Sequence, residues 1–156
     1  MENNVSDLDF STLETLSVTI DQHIAHIQLS RPEALNSMIP IFWHELPATV
    51  RKIDEQSAAR VIVISSQGKH FSAGMDLSVF TQMGKDFVGE PARRGERMRR
   101  MVLELQDSFN ALESVRMPVL VAMQGGVIGG ALKVWYASLL TQAVTWEPLK
   151  QKNVAS

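Results

Sequence analysis

Two glycine-rich turns, each set directly after a short apolar run, constrain this chain more than any other feature. The first, Lys69-His70-Phe71-Ser72-Ala73-Gly74-Met75-Asp76-Leu77, follows Val61-Ile62-Val63-Ile64 and precedes residues 78–83, which can start a helix. The second, Gln124-Gly125-Gly126-Val127-Ile128-Gly129-Gly130-Ala131-Leu132, follows the apolar run of residues 118–123. A small-residue turn between a strand and a helix leaves backbone N–H groups without partners. Such groups bind an anion, or an oxygen on which negative charge develops. Two turns offering one N–H each make a two-donor oxyanion hole.

Bulk properties narrow the alternatives. The chain has 156 residues, enough for one domain with a real core. A net charge of −2 sets up no field that would gather nucleic acid or an anionic membrane. With no cysteine, disulfides, thiolate catalysis and cysteine-ligated zinc are excluded. Residues 1–12 are acidic and lack a secretory h-region, and Asn153-Val154-Ala155-Ser156 carries no retention or peroxisomal address, so the default location is cytoplasmic. Residues 118–144 are mostly apolar and contain a GxxxG at Gly125 and Gly129. Gln124, Lys133 and four glycines interrupt them, which fits strand, turn and helix better than a membrane span.

Along the chain, residues 1–14 read as a disordered segment. Residues 15–21 and 24–29, separated by Gln22-His23, read as a hairpin, with His26 on its more polar face. Asn36 or Ser37 can cap a helix with Pro40 in its first turn and Ile39, Trp43, Leu46, Val50 and Ile53 at helical spacing. Pro47 inside that pattern predicts a kink near Trp43. Residues 60–65 form a β-branched run without alternation, which suits a parallel strand buried on both faces. Two glycines and Pro91 make residues 84–91 a mobile loop. Residues 93–113 read as the longest helix, with Met98, Met101, Val102, Leu105, Phe109 and Leu112 as its apolar stripe. Arg93, Arg94, Arg97, Arg99 and Arg100 crowd its first turns, against the helix dipole. They read as a solvated basic face, or alternatively as a landing site for phosphates.

Three segments carry a family resemblance: Arg31-Pro32-Glu33-Ala34-Leu35-Asn36, then Phe71 to Leu77, then Gly125 to Leu132. In this order and spacing they resemble the crotonase superfamily, the enoyl-CoA hydratases and isomerases. Leu105-Gln106-Asp107-Ser108-Phe109, Ala111-Leu112-Glu113 and the Gly125-Gly126 pair are more similar to its Δ3,5-Δ2,4-dienoyl-CoA isomerase branch. The resemblance implies an α/β fold, the N-terminal part of a ClpP/crotonase-like ββα spiral, over residues 15–132. It implies acyl-CoA thioester substrates in fatty-acid β-oxidation, with no cofactor beyond the coenzyme A of the substrate, no metal, no nucleic acid and no membrane. The backbone N–H groups of Met75 and Gly130 would hold the thioester oxygen. Glycine at 130 would let the backbone approach the ligand closely. The coenzyme A moiety would run along Arg31, Ala34, Leu35, Ser72, Ala73, Gly74, Asp76, Leu77 and Gly126. In that arrangement Arg31 reaches phosphate or ribose, and Asp76 orients the turn rather than touching substrate.

The resemblance also has gaps. Three residues after Gly130 the family carries an acid, aspartate in the dienoyl isomerases, and here the position is Lys133. Residues 133–156 resemble nothing in the family, so they read as an unrelated tail on an incomplete domain. The family trimer is expected, but its trimer helices are missing. Leu132, Trp135, Leu139 and Leu140 give the tail an apolar stripe. Two functions follow: an acyl-CoA-binding protein with impaired catalysis, or an inactive chain that associates with family subunits or with itself.

Overall fold

The computed structural model describes residues 8–79, 81 and 89–139. Strand β1 (Leu16–Asp21) turns back into β2 (Ile24–Leu29) through Gln22 and His23, both at positive φ (46° and 66°). Two consecutive left-handed residues match the right-handed twist of the flanking strands, as in a tight hairpin. Strands β3 (Val61–Ser66) and β4 (Val119–Val121) add in parallel, giving one four-stranded sheet in the order β1-β2-β3-β4. Helix α1 (Phe42–Glu55) lies in the crossover from β2 to β3, and α2 (Pro91–Ser114) in the crossover from β3 to β4. A third helix, α3 (Ala131–Leu139), follows β4. This is an α/β architecture with parallel crossovers, as the resemblance implies.

The core lies between the sheet and α1. Ala25, Ile27, Ile62, Ile64, Val119 and Val121 present one sheet face, and Phe42, Leu46, Val50 and Ile53 of α1 are buried in the same cluster. Strand β3 departs from the expectation of burial on both faces. Ile62, Ile64 and Ser66 are buried, whereas Val61, Val63 and Ser65 are only half-buried. The less covered face carries polar groups, with His26 Nε2 2.7 Å from Ser65 Oγ, so the strand alternates like one with a single core face.

Helix α1 also starts later than expected, at Phe42, with Ile41 as an N-cap that makes no side-chain hydrogen bond. Asn36 and Ser37 do not cap it, because their side chains are engaged elsewhere. The helix runs on through Pro47 to Glu55. Buried Glu45 ties it to the sheet edge by accepting the N–H groups of Glu14 (2.6 Å) and Thr15 (2.9 Å), and the Thr15 hydroxyl.

The N-terminal segment expected to be disordered is packed from residue 8 onward. Leu8, Phe10 and Leu13 rest against the core, and Lys52 donates to the Asp9 carbonyl at 2.8 Å. Helix α2 buries only its C-terminal half, through Ser108, Phe109, Ala111 and Leu112. Met98 and Val102 of the expected stripe are 50% and 39% exposed. The arginines at 93, 94, 97, 99 and 100 are exposed there, with Arg100 paired to Glu96 at 2.9 Å. Residues 84–88 of the expected mobile loop, and the tail from residue 140, lie outside the described residues, as do the side chains of Trp135 and Leu139.

Candidate oxyanion site

Three loops meet beyond the carboxyl ends of the parallel strands β2, β3 and β4, where open α/β sheets place their ligand crevices. The first begins with a 3-10 turn (Pro32–Ala34) and continues through Leu35 and Asn36, both left-handed at φ 51°. Asparagine tolerates that conformation better than most residues. The buried Asn36 side chain accepts the Arg31 N–H at 2.9 Å and donates to the Gln67 and His70 carbonyls at 2.8 and 3.1 Å. It therefore bolts the first loop to the second.

The second loop is the turn after β3. Ser72, fully buried, donates to the Asn36 carbonyl at 2.7 Å and accepts the Gly74 N–H at 3.0 Å. Its side chain thus shapes the turn from inside. Ala73 N–H donates to the Leu35 carbonyl at 2.9 Å. Met38 N–H donates to Gly74 O at 2.8 Å, and Asp76 N–H to Met38 O at 3.0 Å, which makes Met38 and Met75 a parallel bridge pair. In such a pair the N–H of Met75 itself faces away from Met38.

The third loop, after β4, is laced to the second. Phe71 N–H reaches the carbonyls of Gln124 (2.8 Å) and Gly126 (3.1 Å), and Ile128 N–H reaches Ser72 O at 3.1 Å. Gly126 N–H donates to Nδ1 of His70 at 2.9 Å, and the Gln124 side chain donates to the Ser66 and Gly68 carbonyls at 2.8 and 3.0 Å. The two glycine turns touch: a Cβ on Gly74, whose φ is +84°, would stand 2.5 Å from Ile128 O and 3.4 Å from Gly129 Cα.

This contact sets Gly74 beside Gly129, the residues just before Met75 and Gly130, and neither the Met75 nor the Gly130 N–H donates to another described backbone or side-chain group. The turn bonds that open α3 come from Ala131, Leu132 and Lys133, leaving the Gly130 N–H out. The positive end of the helix dipole adds to it. Main-chain donors without partners among the described residues, one on each of two touching turns, are groups of the kind that can stabilise a developing oxyanion. Leu35, Leu77, Ile128 and Leu132 surround the turns as exposed apolar groups, at 51%, 79%, 60% and 51%.

The absence of a side chain at 130 also has a use in packing. A Cβ there would meet Met38 Sδ at 3.3 Å, Trp43 Cη2 at 3.6 Å and Phe109 Cζ at 4.0 Å. It would point into the core, so glycine at this position serves packing beneath the turn.

Asp76 closes the second turn. Ser37 Oγ donates to its Oδ2 at 2.6 Å and the Ser78 N–H to its Oδ1 at 2.9 Å. The Ser37 hydroxyl foremost, then Ser78 and the more distant Arg31 guanidinium, hold its carboxyl at about 2, below the usual carboxylate range. Arg31 donates to the Ser37 carbonyl at 2.9 Å, so the guanidinium sits beside the turn. Lys133 is exposed on α3, with Nζ 5.6 Å from the Tyr136 ring centre. With Gly129, Leu132 and Tyr136 it lines an open depression of about 400 Å³.

The fold therefore collects the sequence-derived residues on three adjoining loops: Arg31, Ala34 and Leu35; Ser72 to Leu77; Gly126 and Gly130. Sequence reasoning missed Met38 and His70, and took Asn36 for a helix cap. Nothing in the local pattern marks Met38 or His70, since each acts on a loop far away in the chain. No group of metal-ligating side chains occurs among the described residues, and none of the described helices is long and apolar enough to cross a membrane.

Known proteins share this fold. The profile of the enoyl-CoA hydratase/isomerase family matches residues 19–139. The chain belongs to the enoyl-CoA hydratase/isomerase family. Within it, the chain is 35% identical over 132 residues to the mitochondrial Δ3,5-Δ2,4-dienoyl-CoA isomerase of Rattus norvegicus, covering 82% of this chain and 39% of that protein. It is 32% identical to the peroxisomal enzyme of that name from Arabidopsis thaliana, covering 79% and 45%. Among solved structures, an enoyl-CoA hydratase/isomerase from Marinobacter aquaeolei superposes with a TM-score of 0.76 at 22% identity, over 85% of this chain and 49% of that one. An enoyl-CoA hydratase from Shewanella pealeana gives 0.75 at 23%, over 86% and 47%. These likenesses establish the crotonase fold. The chain spans less than half the length of each of these relatives.

Proposed function

We propose that this chain binds acyl-CoA thioesters, with the N–H groups of Met75 and Gly130 donating to the thioester carbonyl oxygen. The observation that supports the reading is the contact between the two glycine turns, each of which carries a main-chain N–H that donates to no described group. Removing a proton next to a thioester makes an enolate, and one fixed donor stabilises such a charge by about 3–4 kcal/mol. Coenzyme A then lies along Arg31, Ala34, Leu35, residues 72–77 and Gly126, with the acyl chain against the apolar rim. The parent activity is Δ3,5-Δ2,4-dienoyl-CoA isomerisation, supported by the identity to the dienoyl-CoA isomerases. The chain itself is impaired in that reaction. Lys133 stands where the dienoyl isomerases carry an acid, and an ammonium has no lone pair to accept a proton. Calorimetry with crotonyl-CoA tests the binding; folded protein that gives no heat of binding sinks the proposal.

A second reading is an inactive chain that associates with family subunits or with itself. The observation in its favour is the exposed apolar surface at Met98, Val102 and Leu103 on α2. Size-exclusion chromatography with light scattering separates the readings. A stable monomer of 17.4 kDa argues against association with itself, and co-elution with a purified family enzyme tests the other partner.

A further inference from the structure

One buried residue touches both glycine turns, with its backbone on one and its side chain on the other. Met38 is 1% exposed and lies outside every helix and strand of the main sheet. Its backbone brackets Met75: its N–H holds Gly74 O at 2.8 Å, and its carbonyl takes the Asp76 N–H at 3.0 Å. Its side chain runs the other way, to the underside of the third loop, where Sδ stands 3.3 Å from the point a Gly130 Cβ would occupy. The Trp43 and Phe109 rings, T-packed with centres 5.6 Å apart, flank the same spot. The main chain of one residue thus fixes one donor, and its thioether supports the other.

We infer that Met38 is a positioning residue that sets the separation of the Met75 and Gly130 N–H groups. The inference rests on the oxyanion reading above. Interiors are packed densely enough that losing atoms beneath Gly130 lets that turn settle inward. The bridge from Met38 to Met75 is made by backbone atoms, so it survives a change of side chain. Shortening the side chain therefore moves one donor and leaves the other in place.

The test compares a thioester with a ligand that cannot use the donors. Crotonyl-CoA has the carbonyl oxygen; S-butyl-CoA, a thioether, lacks it. The wild-type chain prefers the thioester by about tenfold, the worth of a pair of ordinary net hydrogen bonds. Met38→Ala lowers that ratio to about threefold, the worth of the one donor left in place, while leaving the S-butyl-CoA affinity unchanged, and Met38→Leu, of similar volume, keeps most of it. A merely structural role lowers both affinities together and overturns the inference. So does a Met38→Ala variant that retains the wild-type ratio. Where the alanine variant fails to fold by circular dichroism, Met38→Val takes its place. A wild-type chain without any thioester preference refutes the oxyanion reading instead. The ligand-free amide spectrum then decides the geometry: Met38→Ala shifts the Gly130 resonance and spares Met75, whereas an unmoved Gly130 overturns the inference.

Discussion

Ser108, in the C-terminal half of α2, donates its hydroxyl to the Trp43 carbonyl of α1 at 3.0 Å. Pro47 has no N–H, so this carbonyl lacks the intrahelical partner that any other residue four positions on would supply. The Ser108 oxygen also lies 3.0 Å from the Glu104 carbonyl of its own helix. One hydroxyl on a neighbouring helix thus repairs the defect that Pro47 leaves. Ser108→Ala strands a buried acceptor and is expected to cost about 1–3 kcal/mol in urea unfolding. In a Pro47→Ala background the main chain can satisfy Trp43, and the same substitution costs less. Equal costs in both backgrounds contradict the coupling.

Asp76 gives the site a pH dependence with a definite sign. Its folded value, about 2, lies below that of an unfolded aspartate, about 3.9. Its contribution to stability is therefore complete above about pH 4 and is lost as pH falls from there toward 2. Carboxyl titration followed by NMR should give a midpoint near 2, and Ser37→Ala should raise it, since the Ser37 hydroxyl is the main cause. A midpoint near 4 in the wild type contradicts the arrangement.

Gly74→Ala should be among the most damaging single substitutions in the loops. The residue would sit at φ +84° with its Cβ 2.5 Å from Ile128 O. Left-handed backbone and the forced separation of two packed turns together cost at least about 2 kcal/mol. Crotonyl-CoA affinity should fall more than S-butyl-CoA affinity, because the donors move apart. Wild-type stability in this variant would show that the turns are not in contact.

Asn36 separates shape from charge. Asn36→Ala removes three hydrogen bonds at a buried site and is expected to cost about 2–4 kcal/mol. Asn36→Asp keeps size and the acceptor for Arg31 N–H, but sets a carboxylate oxygen against the Gln67 and His70 carbonyls. It should be no more stable than the alanine variant near neutral pH. A milder effect for aspartate would mean that the amide is not the donor described.

The position of Lys133 predicts a failed rescue. Lys133→Asp restores one proton-transfer group, where positioned groups typically contribute 10²–10⁴-fold each. Dienoyl-CoA conversion followed spectroscopically should stay negligible in both wild type and variant. Ordinary turnover in the wild type, abolished by Lys133→Ala, would overturn the reading of impaired catalysis.

The hairpin, the β-branched run at residues 61–64 and both glycine turns were legible because their signals are local: positive-φ positions, alternation and chain reversal. What escaped depends on distant partners. Asn36 looks like a helix cap until Gln67 and His70 are brought beside it. The stripe on α2 has the right spacing along its whole length, but spacing does not say how far the covering elements extend. Strand β3 carries apolar residues on both faces, yet only one face meets the core.

The proposed donors at 75 and 130 belong to the main chain, so in that reading the side chain at 75 contributes no chemistry of its own. Exchanging Met75 for another apolar residue should pass unnoticed by a ligand. The address of the site is written in the residues that crowd it: a glycine that touches the facing turn, an asparagine that bolts two loops, a methionine wedged beneath. A scan that replaces one side chain at a time would map this scaffolding and leave the donors themselves blank. Only an atom-level change, an ester oxygen in place of the amide nitrogen, would make them visible.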